Sequence, residues 1–282
     1  VRILKWPGLM LQKLTTKQPD DSMVECAIIA FNTVMAMDAD PSIPEKRFDT
    51  KKPYEKVRDE IKTMLKGVDE SDIDWIFCEV CNVKRSQLAQ LTHVRQLEYE
   101  RAVEFAKKRQ KGEPLWRVFG KTDFYGYDIS LTPDVLCPRP ETEYLAQEAI
   151  GLLNADSKAL DMCTGSGCIA IAIAGKSGAE VTACDISEKA LEVAKQNAVG
   201  NNVADKITFV KSDMFGCVEG RYDVIVSNPP YIPTKDIAKL DREVREYDPN
   251  IALDGGGDGL DFYRIFAKEA SDYLCEGGHI LL

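Results

Sequence analysis

From residue 158 onward, short apolar segments alternate with amphipathic ones, and this alternation constrains the fold more than any other feature of the sequence. The apolar segments predict buried strands at 159–162, 181–184, 207–210 and 222–226. The longer stretches predict helices at 168–175, 187–199 and 260–274, and another strand pattern begins at His279. Repeated strand–helix units form a parallel sheet with helices on both faces. We therefore predict an α/β fold built on a Rossmann-like sheet.

Two segments lie at the N-terminal end of the chain. Residues 1–50 are predicted to be an extension with a helix at 19–37, followed by a linker that contains Pro41 and Pro44. Residues 51–113 are predicted to form a small helical domain. Its helical patterns lie at 54–66, 71–80, 86–91 and 94–111.

A hairpin is predicted to connect the helical domain to the sheet domain. Aromatic residues and glycines in the segment 114–139 favour a β-hairpin with strands at 118–120 and 124–131. The sheet domain then occupies residues 140–282. Pro140 suits the first position of its first helix, because proline has no N–H to leave unpaired there.

Composition favours a soluble protein that does not bind nucleic acid non-specifically. The formal net charge is −10, and an acidic chain has little electrostatic attraction for phosphate backbones. No apolar run is long enough to span a bilayer. The chain starts with Val1 and stops within a strand pattern, so we expect it to be a fragment of a longer polypeptide. We also expect it to be monomeric.

The nine cysteines predict a reducing compartment. They show no spacing typical of a disulfide framework, so we interpret them as free thiols of a cytoplasmic protein. Cys78 and Cys81 form a C-x-x-C pair, but no second pair accompanies them. Since they lie three residues apart in a helical pattern, we predict core residues and not a metal or redox site.

The turn after the first strand of the sheet is rich in glycine and favours a ligand. Glycines let a backbone approach a bound molecule closely, and a helix N-terminus offers free N–H groups. Such a loop also occurs in dinucleotide-binding proteins, in which Ala170 would be tolerated at the third glycine position, so the loop alone does not define the ligand. The candidate binding residues of this turn are Asp161, Cys163, Thr164, Gly165, Ser166 and Gly167.

Acidic residues follow the next two strands of the predicted sheet. Asp185 ends the second strand, where a carboxylate can accept hydrogen bonds from both hydroxyls of a ribose. Asp213 and Met214 follow the third strand. Asp213 alone could equally be a turn residue, but three acids in consecutive units, counting Asp161, favour a nucleoside ligand.

The fourth strand ends in Ser227-Asn228-Pro229-Pro230-Tyr231. Neither proline has an N–H to donate, and both have φ fixed near −65°, so this segment predicts a stiff loop at the carboxyl end of a strand. Open α/β sheets bind their ligands at that edge. The loop offers an amide side chain, free carbonyl groups and an aromatic ring, which together suit a planar group that carries an NH₂.

These motifs together resemble class I methyltransferases that use S-adenosylmethionine. The order of five motifs narrows the resemblance to the peptide chain release factor N(5)-glutamine methyltransferase (PrmC/HemK) family, over roughly residues 53–282. Asn-Pro-Pro-Tyr is shared with adenine-N6 methyltransferases, whereas the segment Pro-Arg-Pro-Glu-Thr-Glu is more specific. The motifs are Phe124–Gly126, Pro138–Glu143, Asp161–Gly167, Ser227–Tyr231 and Ala252–Leu260.

The resemblance implies a fold and a reaction. It implies a helical substrate-recognition domain, a hairpin and a seven-stranded sheet, of which the last pair of strands would follow Leu282. The substrate would be the glutamine of the Gly-Gly-Gln loop in class I release factors. S-adenosylmethionine would donate the methyl group, and no metal is expected.

The resemblance also implies site residues. The two N–H groups of the substrate amide would donate hydrogen bonds to the Asn228 side chain and to the Pro229 carbonyl. Pro230 would stiffen the loop, and Tyr231 would pack on the amide plane. Asn228 would also lie against the cofactor. The segment Pro138–Glu143 would either shape the pocket or only start a helix, and Asp254–Gly259 is predicted to be a turn and not a phosphate loop.

One departure from the family leaves other functions open. The family usually has glycine at position 163, and a cysteine there could crowd the cofactor. The alternatives are an adenine-N6 methyltransferase acting on DNA or RNA and a non-catalytic module that binds S-adenosylmethionine. Residues 1–37 lie outside the methyltransferase resemblance, and residues 6–16 are similar to the tail of an uncharacterised bacterial membrane-protein family.

Overall fold

The computed structural model describes residues 27–32, 35 and 51–282. The chain divides into two units, Val1–Lys51 and Lys52–Leu282. In the first unit residues 27–32 are helical, within the helix predicted at 19–37. The remainder of that helix and the predicted linker lie outside the described residues. The second unit carries the sheet and everything that follows.

The first part of the second unit is helical, as predicted. Its elements are β1 (Lys51–Pro53), α1 (Tyr54–Met64), α2 (Glu70–Cys81), a 3₁₀ helix (Arg85–Gln90), β2 (His93–Arg95), α3 (Gln96–Gln110) and α4 (Leu115–Phe119). The helices enclose a core that includes Ile61, Ile76 and Phe77. Cys78 and Cys81 pack against this core, and burial raises the pKa of the Cys81 thiol to about 11. Both cysteines are therefore core residues, as predicted.

Two boundaries in this part were predicted wrongly. Val94 lies in β2, because the main chain there pairs with β1, so α3 begins only at Gln96. Residues 118–120 end helix α4 and are not a hairpin strand. The helix forms because Pro114 provides its N-cap and because Val118 and Phe119 pack on the helical core.

The β-hairpin itself is confirmed, but its first strand starts after Gly120, and the predicted second strand at 124–131 contains the end of the first strand, the turn and the second strand. Strands β3 (Lys121–Phe124) and β4 (Tyr127–Ser130) pair antiparallel, with Phe124 opposite Tyr127. Tyr125 and Gly126 form the two-residue turn, and both have positive φ. Such turns match the twist of the flanking strands.

The sheet of the second part has five parallel strands in the described residues, in the order β7-β6-β5-β8-β9. Their bounds are β5 Lys158–Met162, β6 Glu180–Asp185, β7 Ile207–Lys211, β8 Tyr222–Ser227 and β9 Leu274–Leu281. The chain moves outward from β5 through β6 to β7 and then returns to the other side of β5 with β8. Ligands bind at such a reversal of strand order, outside the carboxyl ends of the strands.

Helices cover both faces of this sheet, as predicted. On one face, α5 (Thr142–Gly151), α6 (Cys168–Ser177) and α7 (Glu188–Gly200) share a core with Ala159, Val181 and Val224. On the other face, the 3₁₀ helix Met214–Cys217 and α9 (Asp261–Glu269) share a core with Leu160 and Ile225. Alternate residues of each strand therefore face different cores. Helix α8 (Arg242–Tyr247) lies in the long segment between β8 and α9.

The position predicted for Pro140 was wrong by two residues. Helix α5 begins at Thr142, and Glu141 is its N-cap. Thr142 and Glu143 donate their main-chain N–H groups to the carbonyls of Arg139 and Pro140, so these residues form a turn ahead of the helix. The turn lets the segment before α5 approach the end of β8.

Candidate active site

A cleft opens at the carboxyl ends of the four strands β5, β6, β7 and β8. Many of its lining residues lie in the segments that follow these four strands, and the others come from parts of the chain outside the sheet. The lining residues are Asp134, Val135, Leu136, Met162, Cys163, Gly165, Asp185, Ile186, Ser187, Ala190, Ser212, Asp213, Met214, Asn228, Pro230, Ile251, Ala252 and Phe262. The cleft therefore brings together Cys163, Gly165, Asp185, Asp213, Met214, Asn228 and Pro230 from the predicted set.

The glycine-rich loop is held by hydrogen bonds that its main-chain N–H groups donate to strand β6. The Thr164 N–H donates to the Cys184 carbonyl at 2.9 Å, and the Gly165 N–H donates to Asp185 Oδ2 at 2.9 Å. Gly167 has φ +80°, and a Cβ there would lie 2.9 Å from the Cβ of Ala194. Glycine is required at this position both by the backbone conformation and by the close approach of α7.

Cys163 lies in the left-handed region with φ +60°. A residue with a Cβ is strained in this region by roughly 1–2 kcal/mol, which gives a physical reason for glycine at this position. Burial raises the pKa of the Cys163 thiol to about 12, so the side chain is a neutral thiol on the cleft wall.

Asp161 does not line the cleft but lies behind the glycine-rich loop, fully buried. Its Oδ2 accepts hydrogen bonds from the Thr164 hydroxyl at 2.6 Å and from the Ala170 N–H at 3.1 Å. Its Oδ1 has no partner among the described residues. Burial raises the pKa of Asp161 to about 7. The carboxyl group thus supports the loop and the start of α6.

Five other predicted residues also lie outside the cleft lining, namely Thr164, Ser166, Gly167, Pro229 and Tyr231. Thr164 and Ser166 are buried, and the Ser166 carbonyl accepts a hydrogen bond from Asn197 Nδ2 at 2.9 Å. Within this loop, Cys163 and Gly165 are the two residues that line the cleft.

Asp185 presents a carboxylate to the cleft. Its Oδ2 accepts from the Gly165 N–H, and its Oδ1 accepts from the Ser187 N–H at 2.9 Å. Burial raises the pKa of Asp185, although these amides oppose the shift. Each carboxylate oxygen can accept a second hydrogen bond, so the predicted contact to two hydroxyls remains available.

The segment after β7 also faces the cleft. Met214 has φ +46°, and its carbonyl accepts a hydrogen bond from the Ser212 hydroxyl at 2.7 Å. This turn points the chain back toward the sheet and places Asp213, Met214 and Ser212 on the cleft wall. Asp213 is exposed, so its carboxylate is accessible from solvent.

The loop after β8 is anchored on both sides. Ser227 donates its hydroxyl to the Met162 carbonyl at 2.6 Å, which joins the ends of β8 and β5. Asn228 donates from Nδ2 to the Thr142 hydroxyl at 3.3 Å. This contact holds the amide plane and leaves the carbonyl oxygen of Asn228 as the group that can face a ligand. Pro229 and Pro230 are buried, and Tyr231 is 57% exposed.

The predicted turn at 254–259 packs directly on this loop. A Cβ at Gly255 would lie 2.7 Å from the Tyr231 Cα and 2.9 Å from the Pro230 carbonyl oxygen, and a Cβ at Gly259 would lie 2.4 Å from the Tyr231 carbonyl oxygen. Such distances are impossible for a real side chain. The glycines therefore serve close main-chain contact, and the turn is confirmed as a structural element.

The segment before α5 links distant parts of the site. Arg139 forms an ion pair with Asp248 at 2.5 Å, and Glu143 accepts a hydrogen bond from the Tyr125 N–H in the hairpin turn at 2.9 Å. Together with Thr142, these residues join the hairpin, α5 and the loop after β8. These contacts favour the interpretation that the segment Pro138–Glu143 shapes the pocket over the interpretation that it only starts a helix.

Several cleft residues were missed from the sequence. Val135, Leu136, Ile186, Ile251 and Phe262 form apolar walls of the cleft. No functional motif marks them: Ile186 directly follows Asp185, and the others reach the cleft from segments outside the sheet. Their apolar surfaces suit the flat face of a base or an aliphatic chain.

Two further features of the described residues concern metals and membranes. Among the residues that the structure describes, no group of three or more His, Cys, Asp or Glu side chains could hold a metal ion. His93 lies in β2 and His279 in β9, and neither lines the cleft. Within the same described ranges, no helix has both the length and the apolar character needed to cross a bilayer.

The fold and the cleft define a class I methyltransferase domain. A family model described as "Methyltransferase small domain" matches residues 143–243, which contain α5, the glycine-rich loop, Asp185 and the loop after β8. The residues present fit S-adenosylmethionine, because a carboxylate, exposed main-chain groups and apolar walls meet in one cleft. A second model, "Protein of unknown function (DUF1385)", matches residues 1–37, in agreement with the predicted likeness of that segment to an uncharacterised family.

Two relatives that this chain covers over most of their length identify the family within this class. The release factor glutamine methyltransferase of Thermodesulfovibrio yellowstonii is 36% identical over 82% of this chain and 84% of its own length. The protein of the same name from Chlorobaculum tepidum is 39% identical over 76% of this chain and 78% of its own length. The chain belongs to the release factor glutamine methyltransferase family. The match to the Geobacter sulfurreducens protein, at 42% identity, spans 62% of that relative's length.

Proposed function

We propose that this protein transfers a methyl group from S-adenosylmethionine to the side-chain amide nitrogen of the glutamine in the Gly-Gly-Gln motif of class I release factors. The observation that carries the proposal is the anchored amide of Asn228, which lines the same cleft as Asp185. The names of the relatives supply the substrate class.

The donor would lie along the ends of β5, β6 and β7. Asp185 would accept hydrogen bonds from the ribose hydroxyls, and Gly165 would allow close approach of the main chain. Ile186 and Met214 would pack against the base, while Cys163 and Asp213 would complete the walls. When bound, S-adenosylmethionine supplies a methyl group on a positively charged sulfur.

The acceptor side would prepare an amide nitrogen for attack. An amide nitrogen is a poor nucleophile because its lone pair is delocalised into the carbonyl group. The two N–H groups of the substrate amide would donate hydrogen bonds to the Asn228 side-chain oxygen and to the Pro229 carbonyl. This arrangement directs the lone pair of the amide nitrogen toward the cleft. These acceptors also stabilise the positive charge that develops on nitrogen, and they are held before the substrate arrives. As the N–C bond forms, the S–C bond breaks and the neutral thioether S-adenosylhomocysteine would be released, and the strongly acidic N-methylated amide would lose its extra proton to water.

Tyr231 and the helical region would complete the acceptor side. The exposed ring of Tyr231 can pack on the plane of the substrate amide. The helical domain at residues 51–113 would recognise the release factor. We further propose that the protein acts in the cytoplasm as a monomer.

Methyl transfer from labelled S-adenosylmethionine tests the proposal. The protein is incubated with a class I release factor, with the same factor carrying Gln→Ala in the Gly-Gly-Gln motif, and with duplex DNA. We expect label on the unmodified release factor alone. Label on DNA but not on the release factor would support the adenine-N6 alternative and overturn the proposal.

Asn228→Ala separates chemistry from donor binding. We expect this substitution to reduce methyl transfer by more than about 100-fold, since it removes one of two preorganised acceptors. Affinity for S-adenosylhomocysteine, measured by calorimetry, should stay within a few-fold. Transfer at the unmodified rate would remove Asn228 from its proposed role.

A further inference from the structure

The chain makes a long detour between the loop after β8 and the glycine turn at 254–259. This detour, residues 233–253, is called the excursion here. Its two ends meet, because Ile232 and Asp254 form a parallel bridge. The Ile232 N–H donates to the Leu253 carbonyl at 3.0 Å, and the Gly255 N–H donates to the Ile232 carbonyl at 2.9 Å. The excursion is therefore closed on itself at the base of the loop that carries Asn228.

The last residues of the excursion form one wall of the cleft. Ile251 and Ala252 line it, and they belong to a short 3₁₀ helix at Asn250–Ala252. Another wall is formed by Asp134, Val135 and Leu136, which lie between the hairpin and α5. Neither wall is part of the sheet, so its position depends on contacts made by loops.

One ion pair joins the two loops. Arg139 lies three residues after Leu136, and Asp248 lies three residues before Ile251. The Arg139 guanidinium approaches Asp248 Oδ2 at 2.5 Å. The Asp248 side chain is 1% exposed and that of Arg139 is 35% exposed, so the contact is shielded from water on the carboxylate side.

The Arg139–Asp248 pair fixes the relative position of the two loops more than it stabilises the fold. Asp248 Oδ1 is buried without a partner among the described residues, so desolvation of the carboxylate is only partly offset. Burial raises the pKa of Asp248 even though Arg139 opposes that shift. A buried pair of this kind adds little net stability, yet removal of one member leaves an uncompensated group. Such a contact selects one arrangement of the loops that carry it.

We propose that Arg139 and Asp248 are positioning residues for the donor cleft, which hold the Asp134–Leu136 wall and the Ile251–Ala252 wall at a fixed separation around S-adenosylmethionine. The inference rests on the proposed function for the identity of the ligand. Neither residue lines the cleft, so their effect on binding passes through the walls. A further ion pair, from Arg109 in α3 to Glu243 in α8 at 2.6 Å, ties the middle of the excursion to the helical region.

Two substitutions and their combination test the pair. Arg139→Met and Asp248→Asn each remove the charge contact with little change in shape. Binding of S-adenosylhomocysteine is measured by calorimetry, and amide hydrogen exchange is measured at residues 250–254 in the ligand-free protein. We expect each variant to weaken binding on the order of tenfold and to speed exchange in this segment. The double variant should be no weaker than the singles, because both remove the same contact.

A matched control separates positioning from general stability. Arg58 and Asp74 form an ion pair at 3.2 Å within the helical region, with side chains 28% and 21% exposed. Arg58→Met should leave both binding and exchange at 250–254 unchanged, and Arg139→Lys should restore part of the binding lost in Arg139→Met.

Some results would overturn the inference. Unchanged affinity in both Arg139→Met and Asp248→Asn, or additive losses in the double variant, would show that the pair does not position the walls. An equal loss in Arg58→Met would show an effect on stability alone. Hydrogen exchange needs no ligand, so unchanged exchange overturns the inference even if the protein uses another donor. If these effects are observed but no methyl group is transferred to the release factor, the proposed function is wrong and the inference about the ion pair still holds.

Discussion

On the donor side of the cleft, main-chain N–H groups of the glycine-rich loop donate to the neighbouring strand, whereas the acceptor side depends on a side-chain contact between distant segments. On the donor side, Gly165 and Thr164 bond to residues about twenty positions away in the adjacent strand, β6. On the acceptor side, Asn228 donates to Thr142, 86 residues earlier in the chain. The glycine-rich loop of the donor side is thus positioned by the sheet, whereas the acceptor side depends on how distant segments are joined.

This difference predicts different responses to substitution. Changes on the donor side should alter stability and donor affinity together, because the loop is part of the sheet core. Changes on the acceptor side should alter methyl transfer and leave the sheet intact. Four substitutions test this contrast, in order of decreasing expected effect.

Asp161→Asn tests how the donor side depends on burial. The folded pKa of Asp161, about 7, is above its ordinary value of 3.8, so the contribution of this group to stability is full below about pH 4 and is lost as pH rises toward and through 7. The shift corresponds to roughly 4 kcal/mol. Asparagine does not titrate, so the variant should lose this part of the pH dependence and be more stable than the unmodified protein at pH 8. Urea unfolding at pH 5 and pH 8 measures it, and identical pH profiles for the two proteins would contradict the assignment.

Gly255→Ala tests the close contact on the acceptor side. The new Cβ would meet the main chain of Pro230 and Tyr231, so the loop must move. A displacement of about 1 Å can cost roughly 100-fold in rate, or about 2.7 kcal/mol. We expect that loss in methyl transfer, with donor affinity within a few-fold. Gly257→Ala is the control, since a Cβ there meets nothing within 4 Å.

Thr142→Val tests the anchor of Asn228. Valine keeps the shape of the buried threonine but removes the oxygen that accepts from Asn228 Nδ2. Loss of one such hydrogen bond is worth about 1 kcal/mol, so methyl transfer should fall roughly five- to tenfold. Steady-state kinetics with release factor as substrate measures this. A fall in donor affinity as large as the fall in rate would show that the two sides are not separate.

Cys163→Gly should have the smallest effect. Glycine relieves the left-handed strain of Cys163, but it also increases the flexibility of the unfolded chain by an opposing amount of about 0.5–1 kcal/mol. Net stability should change by less than about 1 kcal/mol. Removal of the side chain also widens the cleft wall, so affinity for S-adenosylhomocysteine should rise a few-fold. Weaker binding would show that the thiol contributes a favourable contact.

The same contrast explains what the sequence could reveal. The strands and the positions of the glycine-rich loop and Asp185 at strand ends follow from local patterns, but β9 begins at Leu274, five residues before the predicted strand pattern at His279, and α9 ends at Glu269 instead of 274. Residues such as Ile251 and Val135 carry no signal, because they lie in loops outside the sheet and line the cleft only once the chain has folded. Helix α4 was misread for a related reason, since packing of Val118 and Phe119 on the helical core decided between helix and strand. Asp161 shows a further limit, because an acid at a strand end can face the ligand or support the loop behind it.

The closed base of the excursion has a consequence for engineering. Since Ile232 and Asp254 are already joined, residues 233–253 enter and leave the fold at one point. A segment of different length can be grafted between these two positions at little cost in chain entropy and without a change in strand register. The graft would need acidic side chains that can meet Arg109 and Arg139. Because Ile251 and Ala252 line the cleft, an exchanged segment must also rebuild that wall, and such an exchange offers a route to a new acceptor.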